Sequence, residues 1–357
     1  MKIAIFQTDL KTGGIQKSLV HFLDHLSRMD RVDVDLFLFS RQRHFDTPEG
    51  IHVHYLSASR LFNDIPFSWT MASPSFRRAI RPALDATYDL AIDYSGFNTS
   101  ASAACLLCRA NRKVIYIHSD IKMRLKFNKK FAFLFSMTKK KYSLFDEVVF
   151  VTEKVGESYE EILGTKQKSH LIGNLLPIQE IREKAQEPTD FSPDPQRINL
   201  ITVSRLSFEK NVLSTVKIMA EAYRENPGLR FYILGDGPEE ESIRAYVKEN
   251  QLEDLVSLEG RKSNPYPYMK EMDYYISESL YEGQGLSVLE AQTLGLDIIV
   301  PPHLSGYMYR VEGVDHIPGL LSRLKKKPKK DWQMENYVKS CEEGIDQLLF
   351  GEEKHED

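Results

Sequence analysis

Two stretches of the chain carry side chains whose types and spacing suit the binding of a strongly anionic group. In Ser204-Arg205-Leu206-Ser207-Phe208-Glu209-Lys210-Asn211, two cations stand five residues apart, directly after an apolar run. A guanidinium and an ammonium so placed can clamp a diphosphate by charge-assisted hydrogen bonds. Alone, the pair reads better as an ordinary loop with solvated cations. Downstream, Ser277-Glu278-Ser279-Leu280-Tyr281-Glu282-Gly283-Gln284-Gly285-Leu286-Ser287-Val288-Leu289-Glu290-Ala291 places the carboxylates of Glu282 and Glu290 eight residues apart around a glycine turn. Gly283 and Gly285 allow a tight backbone turn, and Leu286, Ser287 and the apolar residues after them open a helix whose first amides suit an anion. Glu282 would stand beside a reacting sugar, and Glu290, a turn inside the helix, could accept from ribose hydroxyls.

Weaker signals surround these two. Lys11-Thr12-Gly13-Gly14 is a flexible turn leading into a helix, where a backbone can approach a phosphate. His118 closes an apolar run and, taken singly, is more readily a packed core histidine than a catalytic one. Cys105-Leu-Leu-Cys108 has the spacing of a redox or zinc pair, but no second Cys/His pair follows, and the segment reads as a buried apolar helix. Asp33-Val34-Asp35 reads as the exposed face of a strand, and no metal site is expected.

The elements that position these residues follow from hydrophobic period. Short β-rich runs alternate with helical-period segments, the pattern of parallel sheets covered by helices on both faces. In the first half the strands fall near Lys2–Gln7, Val32–Phe39, Leu90–Tyr94, Val114–His118, Val148–Thr152 and His170–Ile172. Ile15, Leu19, Phe22, Leu23 and Leu26 form one apolar stripe, predicting a helix over 14–28. Acids and Pro188, Pro193 and Pro195 mark residues 177–197 as a linker. A second series of strands follows near Asn199–Val203, Arg230–Leu234, Leu255–Leu258, Tyr274–Ile276 and Asp297–Val300. The fold class is therefore α/β, with two doubly wound parallel-sheet domains at 1–180 and 197–330. After a basic run from Arg323 to Lys330, an amphipathic helix over 332–350 closes the chain.

The 357 residues are 42% apolar and 27% charged, with net charge −4, which fits a globular protein of two or three domains. No run reaches the roughly 18 apolar residues of a membrane-spanning helix, and the first residues read as a strand, so a cytoplasmic location is expected. The net charge hides an asymmetry. Residues 1–150 hold 22 Lys and Arg against 14 Asp and Glu, and the remainder holds 25 against 37. Eight basic residues fall between Lys122 and Lys141, which points to an anionic surface. No nucleic-acid recognition module accompanies them, so nucleic acid is not expected as a partner.

Taken in order, Gly13-Gly14, His118, Phe145-Asp146-Glu147, Asn174, Ser204–Asn211, Gly235-Asp236-Gly237-Pro238, Gly260-Arg261 and the stretch from Tyr281 to Ala291 resemble the retaining glycosyltransferases of family 4. The resemblance covers nearly the whole chain. It implies the GT-B architecture, two Rossmann-like domains facing a cleft, with the last helix crossing back to the first domain. It implies that Arg205 and Lys210 neutralise the donor diphosphate, that Glu282 contacts the donor sugar, that His118 reaches the same sugar, and that Glu290 binds ribose. Gly260 and Arg261 would border the base, while Gly285, Leu286 and Ser287 would hold phosphate oxygens by their amides. The sequence departs from the family where Ser204 and Gln284 replace a more usual Gly and Phe, and where Pro301–Tyr307 replaces a Gly-Gly-containing loop.

The activity so implied is transfer of a sugar, with a UDP-sugar the expected donor, to a hydroxyl on a glycan or lipid-linked acceptor, with retention and without a metal or other cofactor. Its setting would be polysaccharide or cell-envelope glycan assembly. A non-catalytic partner subunit of the same fold and a nucleotide-sugar epimerase are the competing readings. Residues 122–141 are expected to form one interfacial helix. In it Met123, Phe127, Phe131, Leu134 and Phe135 would face an anionic membrane, flanked by Lys122, Lys126, Lys129 and Lys130.

Overall fold

A computed structural model describes residues 1–11, 13–164 and 166–351. Thr12, part of the glycine turn singled out above, lies outside the described residues. The chain divides into two compact units, Met1–Leu175 with Lys339–Asp357, and Leu176–Val338.

Unit 1 is built on a seven-stranded sheet of order β3-β2-β1-β4-β5-β6-β7. Its strands are β1 (Lys2–Gln7), β2 (Asp33–Leu38), β3 (Ile51–Tyr55), β4 (Thr87–Asp93), β5 (Arg109–Ile117), β6 (Glu147–Phe150) and β7 (Lys168–Leu171). Every pairing is parallel. The central strands are apolar on both faces, as a sheet covered by helices on both sides requires: Ile3, Ala4, Ile5 and Phe6 of β1 are fully buried. Helix Gly14–Ser27 covers one face with Leu19, Phe22, Leu23 and Leu26.

Four expectations are corrected here. Strand β3 was not legible, because Ile-His-Val-His-Tyr lies at the sheet edge and none of its residues is fully buried. Its presence changes the reading of Asp33-Val34-Asp35. Only Asp33 is exposed; Asp35 is buried and accepts from His54 Nε2 at 2.6 Å and Tyr88 Oη at 3.0 Å. The basic segment is two helices, Ile121–Phe127 and Lys129–Thr138, divided at Asn128, whose side chain caps the second by accepting from Phe131 N at 2.9 Å. Of its aromatic residues Phe131 packs onto Phe97 and Phe135 onto Tyr142 while Phe133 stays exposed; Lys122 pairs with Glu161 and Lys141 is wholly buried. The fourth is the linker: residues from Leu176 on already belong to unit 2, and helix Ile178–Lys184 occupies the start of the polar segment.

Unit 2 holds a five-stranded parallel sheet, β10-β9-β8-β11-β12, from β8 (Ile198–Val203), β9 (Leu229–Leu234), β10 (Val256–Gly260), β11 (Tyr274–Ile276) and β12 (Asp297–Ile299). Leu200, Val216, Phe231, Ile233, Ile243 and Ile276 form the centre of its core. The final helix, Met334–Phe350, starts in unit 2, and from Lys339 on it belongs to unit 1. There Arg112 donates to the carbonyl of Leu348 at 2.8 Å and to Glu147 at 2.6 Å, tying the helix end to β5 and β6.

Candidate active site

In unit 2 the carboxyl ends of β8 and β11 bring the two sequence stretches together. β8 ends at Val203, and the loop that follows passes close over the turn after β9. A Cβ on Gly235 would stand 1.8 Å from the carbonyl oxygen of Ser204, and one on Gly237 would stand 2.3 Å from that of Leu206. Both glycines also have positive φ, 147° and 155°, so no other residue serves there. The loop is then fastened to the segment after β11 by three contacts. Leu280 N donates to Glu209 O at 2.8 Å, Asn211 Nδ2 donates to Glu278 O at 3.0 Å, and Lys210 Nζ donates to both oxygens of Glu282 at 2.6 and 2.8 Å. Asn211 adopts the left-handed conformation, φ 51°, which its short polar side chain tolerates.

The electrostatics of the pair are set by competition. Burial alone would lower the pKa of Lys210, but the Glu282 carboxylate outweighs it and raises it. The ammonium is thus held charged. Arg205 is exposed on the same loop and forms no ion pair among the described residues. Ser204 Oγ is buried and unbonded.

Helix Leu286–Thr293 opens at Gly285, which has no side chain to cap it; Val288 N donates to the Gly285 carbonyl at 2.9 Å, so the amides of Leu286 and Ser287 are the ones left for another acceptor. The Ser287 hydroxyl meets Tyr275 Oη at 2.7 Å, which fixes the first turn against β11. Glu290 is buried and accepts from Tyr266 Oη at 3.4 Å. Gly260 closes β10 with φ +68°, its carbonyl accepting from Gly235 N, and the exposed Arg261 follows. Tyr275, Tyr266 and Asn211 were missed as supporting residues, since nothing in their local spacing marks them. Glu278 was missed too. Its Oε1 is buried without a hydrogen bond, and burial pushes its carboxyl up to about 7.

Unit 1 holds the remaining candidates. Gly13 is the N-cap of helix Gly14–Ser27 and, like Gly285, offers no capping side chain. His118, immediately after β5, is buried between aromatic rings, 4.6 Å from Tyr94 and 5.6 Å from Tyr116. Burial pushes its pKa down to about 4, against a hydrogen bond with the Tyr94 backbone, and its Nε2 is buried without a partner. The neutral imidazole therefore keeps one nitrogen uncommitted. Cys105 and Cys108 are buried and unbridged, with Cys108 Sγ donating to the Cys105 carbonyl. Among the described residues no group of three or more His, Cys, Asp or Glu side chains could hold a metal ion.

Family models agree with this division. Residues 12–180 match the model described as Glycosyltransferase Family 4, and residues 183–333 match Glycosyl transferases group 1. Over 323 residues, 85% of this chain and 82% of the other, the sequence is 24% identical to the N-acetylgalactosamine-N,N'-diacetylbacillosaminyl-diphospho-undecaprenol 4-alpha-N-acetylgalactosaminyltransferase of Campylobacter jejuni. Over 111 residues, 31% of this chain, it is 37% identical to the UDP-N-acetylglucosamine--peptide N-acetylglucosaminyltransferase GtfA subunit of Streptococcus pneumoniae. That stretch is only 22% of the GtfA subunit, so the chain spans a small part of that relative. Among solved structures, HepE of Anabaena with UDP and glucose superposes with a TM-score of 0.67 at 14% identity, covering 98% of this chain and 97% of that one. With two parallel-sheet units and matches to both halves, the chain belongs to the family 4 glycosyltransferases of GT-B fold.

Proposed function

We propose that the protein transfers a sugar from a nucleotide donor, a UDP-sugar, to a hydroxyl of a glycan or lipid-linked acceptor, with retention of configuration and without a metal. The observation that carries the proposal is the convergence of Lys210, Arg205 and the uncapped helix at Gly285 on one end of the unit 2 sheet. The bond that breaks joins the anomeric carbon to the diphosphate, and its electron pair goes to the bridging oxygen. Charge grows there in the transition state, so preformed cations and amides stabilise it more than the bound donor. They do the work a divalent cation would otherwise do. The acceptor oxygen then bonds the anomeric carbon on the face the leaving group vacates, and its proton is released.

Glu290 is assigned to the ribose and Glu282 to the donor sugar, with His118 a further sugar ligand. Because Glu282 engages Lys210 in the free protein, donor binding must share or replace that pair. The ammonium then moves from carboxylate to phosphate without losing a charged partner. UDP is favoured by the names of the GtfA subunit and of the HepE complex, and a lipid-linked acceptor by that of the Campylobacter enzyme. A panel of nucleotide sugars, assayed for release of free nucleoside diphosphate, tests the reading. One donor should turn over well above the rest; a chain that binds nucleotides yet releases none would be a non-catalytic partner.

Membrane attachment is proposed in altered form. The apolar side chain offered to solvent on helix Lys129–Thr138 is Phe133, 66% exposed, with Lys129 and Lys130 before it and Lys139 and Lys140 after. That combination suits the interface of an anionic bilayer. Among the described residues no helix is long and apolar enough to cross a membrane. Co-sedimentation with anionic but not neutral vesicles, lost in Phe133→Ser with Lys129→Glu and Lys130→Glu, is the expected result.

A further inference from the structure

At the carboxyl end of β3, on the outer edge of the unit 1 sheet, lies an open pocket of about 430 Å³ that the reading above does not use. Tyr55, the last residue of β3, and Ser57 form one side; Ser75 and Arg78 of helix Pro74–Ala79 form the other. The two sides are joined by Ser57 N donating to the Ala79 carbonyl at 3.4 Å.

Its chemistry is that of an anion site. The Arg41 guanidinium stands 4.8 Å over the Tyr55 ring, and Arg78 lines the pocket directly. Neither pairs with a carboxylate among the described residues, and both are exposed. Hydroxyls of Tyr55, Ser57 and Ser75 supply further donors. The same connection carries two of the chain's most exposed large apolar side chains, Leu61 at 71% and Trp69 at 66%. They flank the element that packs against the pocket wall. Phe62 stacks edge-on against Phe76 at 5.0 Å, and the Phe62 carbonyl accepts from Thr70 Oγ1 at 3.1 Å.

We propose that this pocket binds a phosphoryl group through Arg78 and Arg41, and that Leu61 and Trp69 cover a hydrocarbon chain attached to it. The ligand class is a lipid phosphate or diphosphate. This deepens the acceptor side of the proposed function and rests on it only for the ligand's role as acceptor; binding itself does not depend on transfer.

The test uses the full chain carrying Arg205→Ala and Lys210→Ala, so that the donor loop does not contribute to anion binding. Inorganic diphosphate and farnesyl diphosphate are titrated by calorimetry and by tryptophan fluorescence. Only two tryptophans are present, and Trp332 is buried, so a change in emission reports Trp69. Both ligands should bind, and adding Arg78→Ala or Arg41→Ala should weaken both by about tenfold or more, the loss of one charge-assisted contact. Farnesyl diphosphate should bind more tightly and shift Trp69 emission to the blue, whereas inorganic diphosphate should not. Absence of binding, or affinities unmoved by either arginine substitution, overturns the pocket. Equal affinity for the two ligands with no emission shift overturns the hydrocarbon contact and leaves a site for free phosphate. UDP binding to the unsubstituted chain, measured separately, reports the donor site, so failure of one assignment is distinguishable from failure of the other.

Discussion

Lys210 Nζ lies 2.6 and 2.8 Å from the two carboxylate oxygens of Glu282, 72 residues away in sequence, so the cation of one loop is pre-placed by the carboxylate of another. Neither side chain is wholly enclosed, with 26% of Lys210 and 12% of Glu282 exposed, so a ligand can reach both. The pair holds the ammonium charged and aimed before a donor arrives, which is the preorganisation that transition-state stabilisation requires.

The two glutamates separate by role. Glu290→Ala should weaken binding of free nucleoside diphosphate by about tenfold, the cost of a lost charge-assisted hydrogen bond. Glu282→Ala should lower turnover of the sugar donor while leaving diphosphate affinity within a few-fold of wild type. Equal losses of diphosphate affinity in both variants would contradict the assignment.

Metal independence is checked with chelator. Turnover in excess EDTA should match turnover in its absence; activity abolished by chelator and restored by a divalent cation would put a metal where the cations of the loop are assigned.

His118 imposes a pH dependence on stability. Its folded pKa is about 4 against 6.5 for the free side chain, so the unfolded state binds the proton first as pH falls. Stability is full above about 6.5 and falls through the window from 6.5 to 4, by about 3 kcal/mol if His118 alone contributed. Denaturant midpoints measured across that window should show the slope, and His118→Phe should flatten it.

Glu147 gives the opposite case for acids. Burial alone would raise its pKa, but hydrogen bonds from Arg112 and His170 prevail and lower it. Its contribution is present above the ordinary carboxylate range and is lost as pH falls through the depressed value. Arg112→Met should cost about 3 kcal/mol, since it leaves a buried carboxylate with His170 as its one remaining side-chain partner among the described residues. It also removes the bond to the Leu348 carbonyl, so hydrogen exchange should quicken in the last turn of the final helix. Unchanged thermal stability and exchange would show that this contact does not hold the helix end.

What the sequence revealed follows from which forces are local. The apolar strands β1 and β8, helix Gly14–Ser27 and the glutamate-glycine stretch were legible because burial and period act on neighbouring residues. Strand β3 was not, since an edge strand needs no continuous apolar run, and its histidines are explained only by Asp33 and Asp35 across the register. The division at Asn128 was hidden because a cap depends on backbone conformation, while charge and apolar spacing continue through it. In the candidate site the residues that would touch a donor were legible by type, whereas Tyr275, Tyr266 and Asn211, which hold them, act across the fold and leave no local signal.

The central claim is that Lys210 and its loop stabilise the departing diphosphate. It is tested most directly by single-turnover release of nucleoside diphosphate from the preferred nucleotide sugar, comparing wild type with Lys210→Ala under donor saturation. A fall of about two orders of magnitude or more, with the fold intact by circular dichroism, is the predicted result for one preorganised contact. Release at the wild-type rate by a folded Lys210→Ala chain would contradict the account.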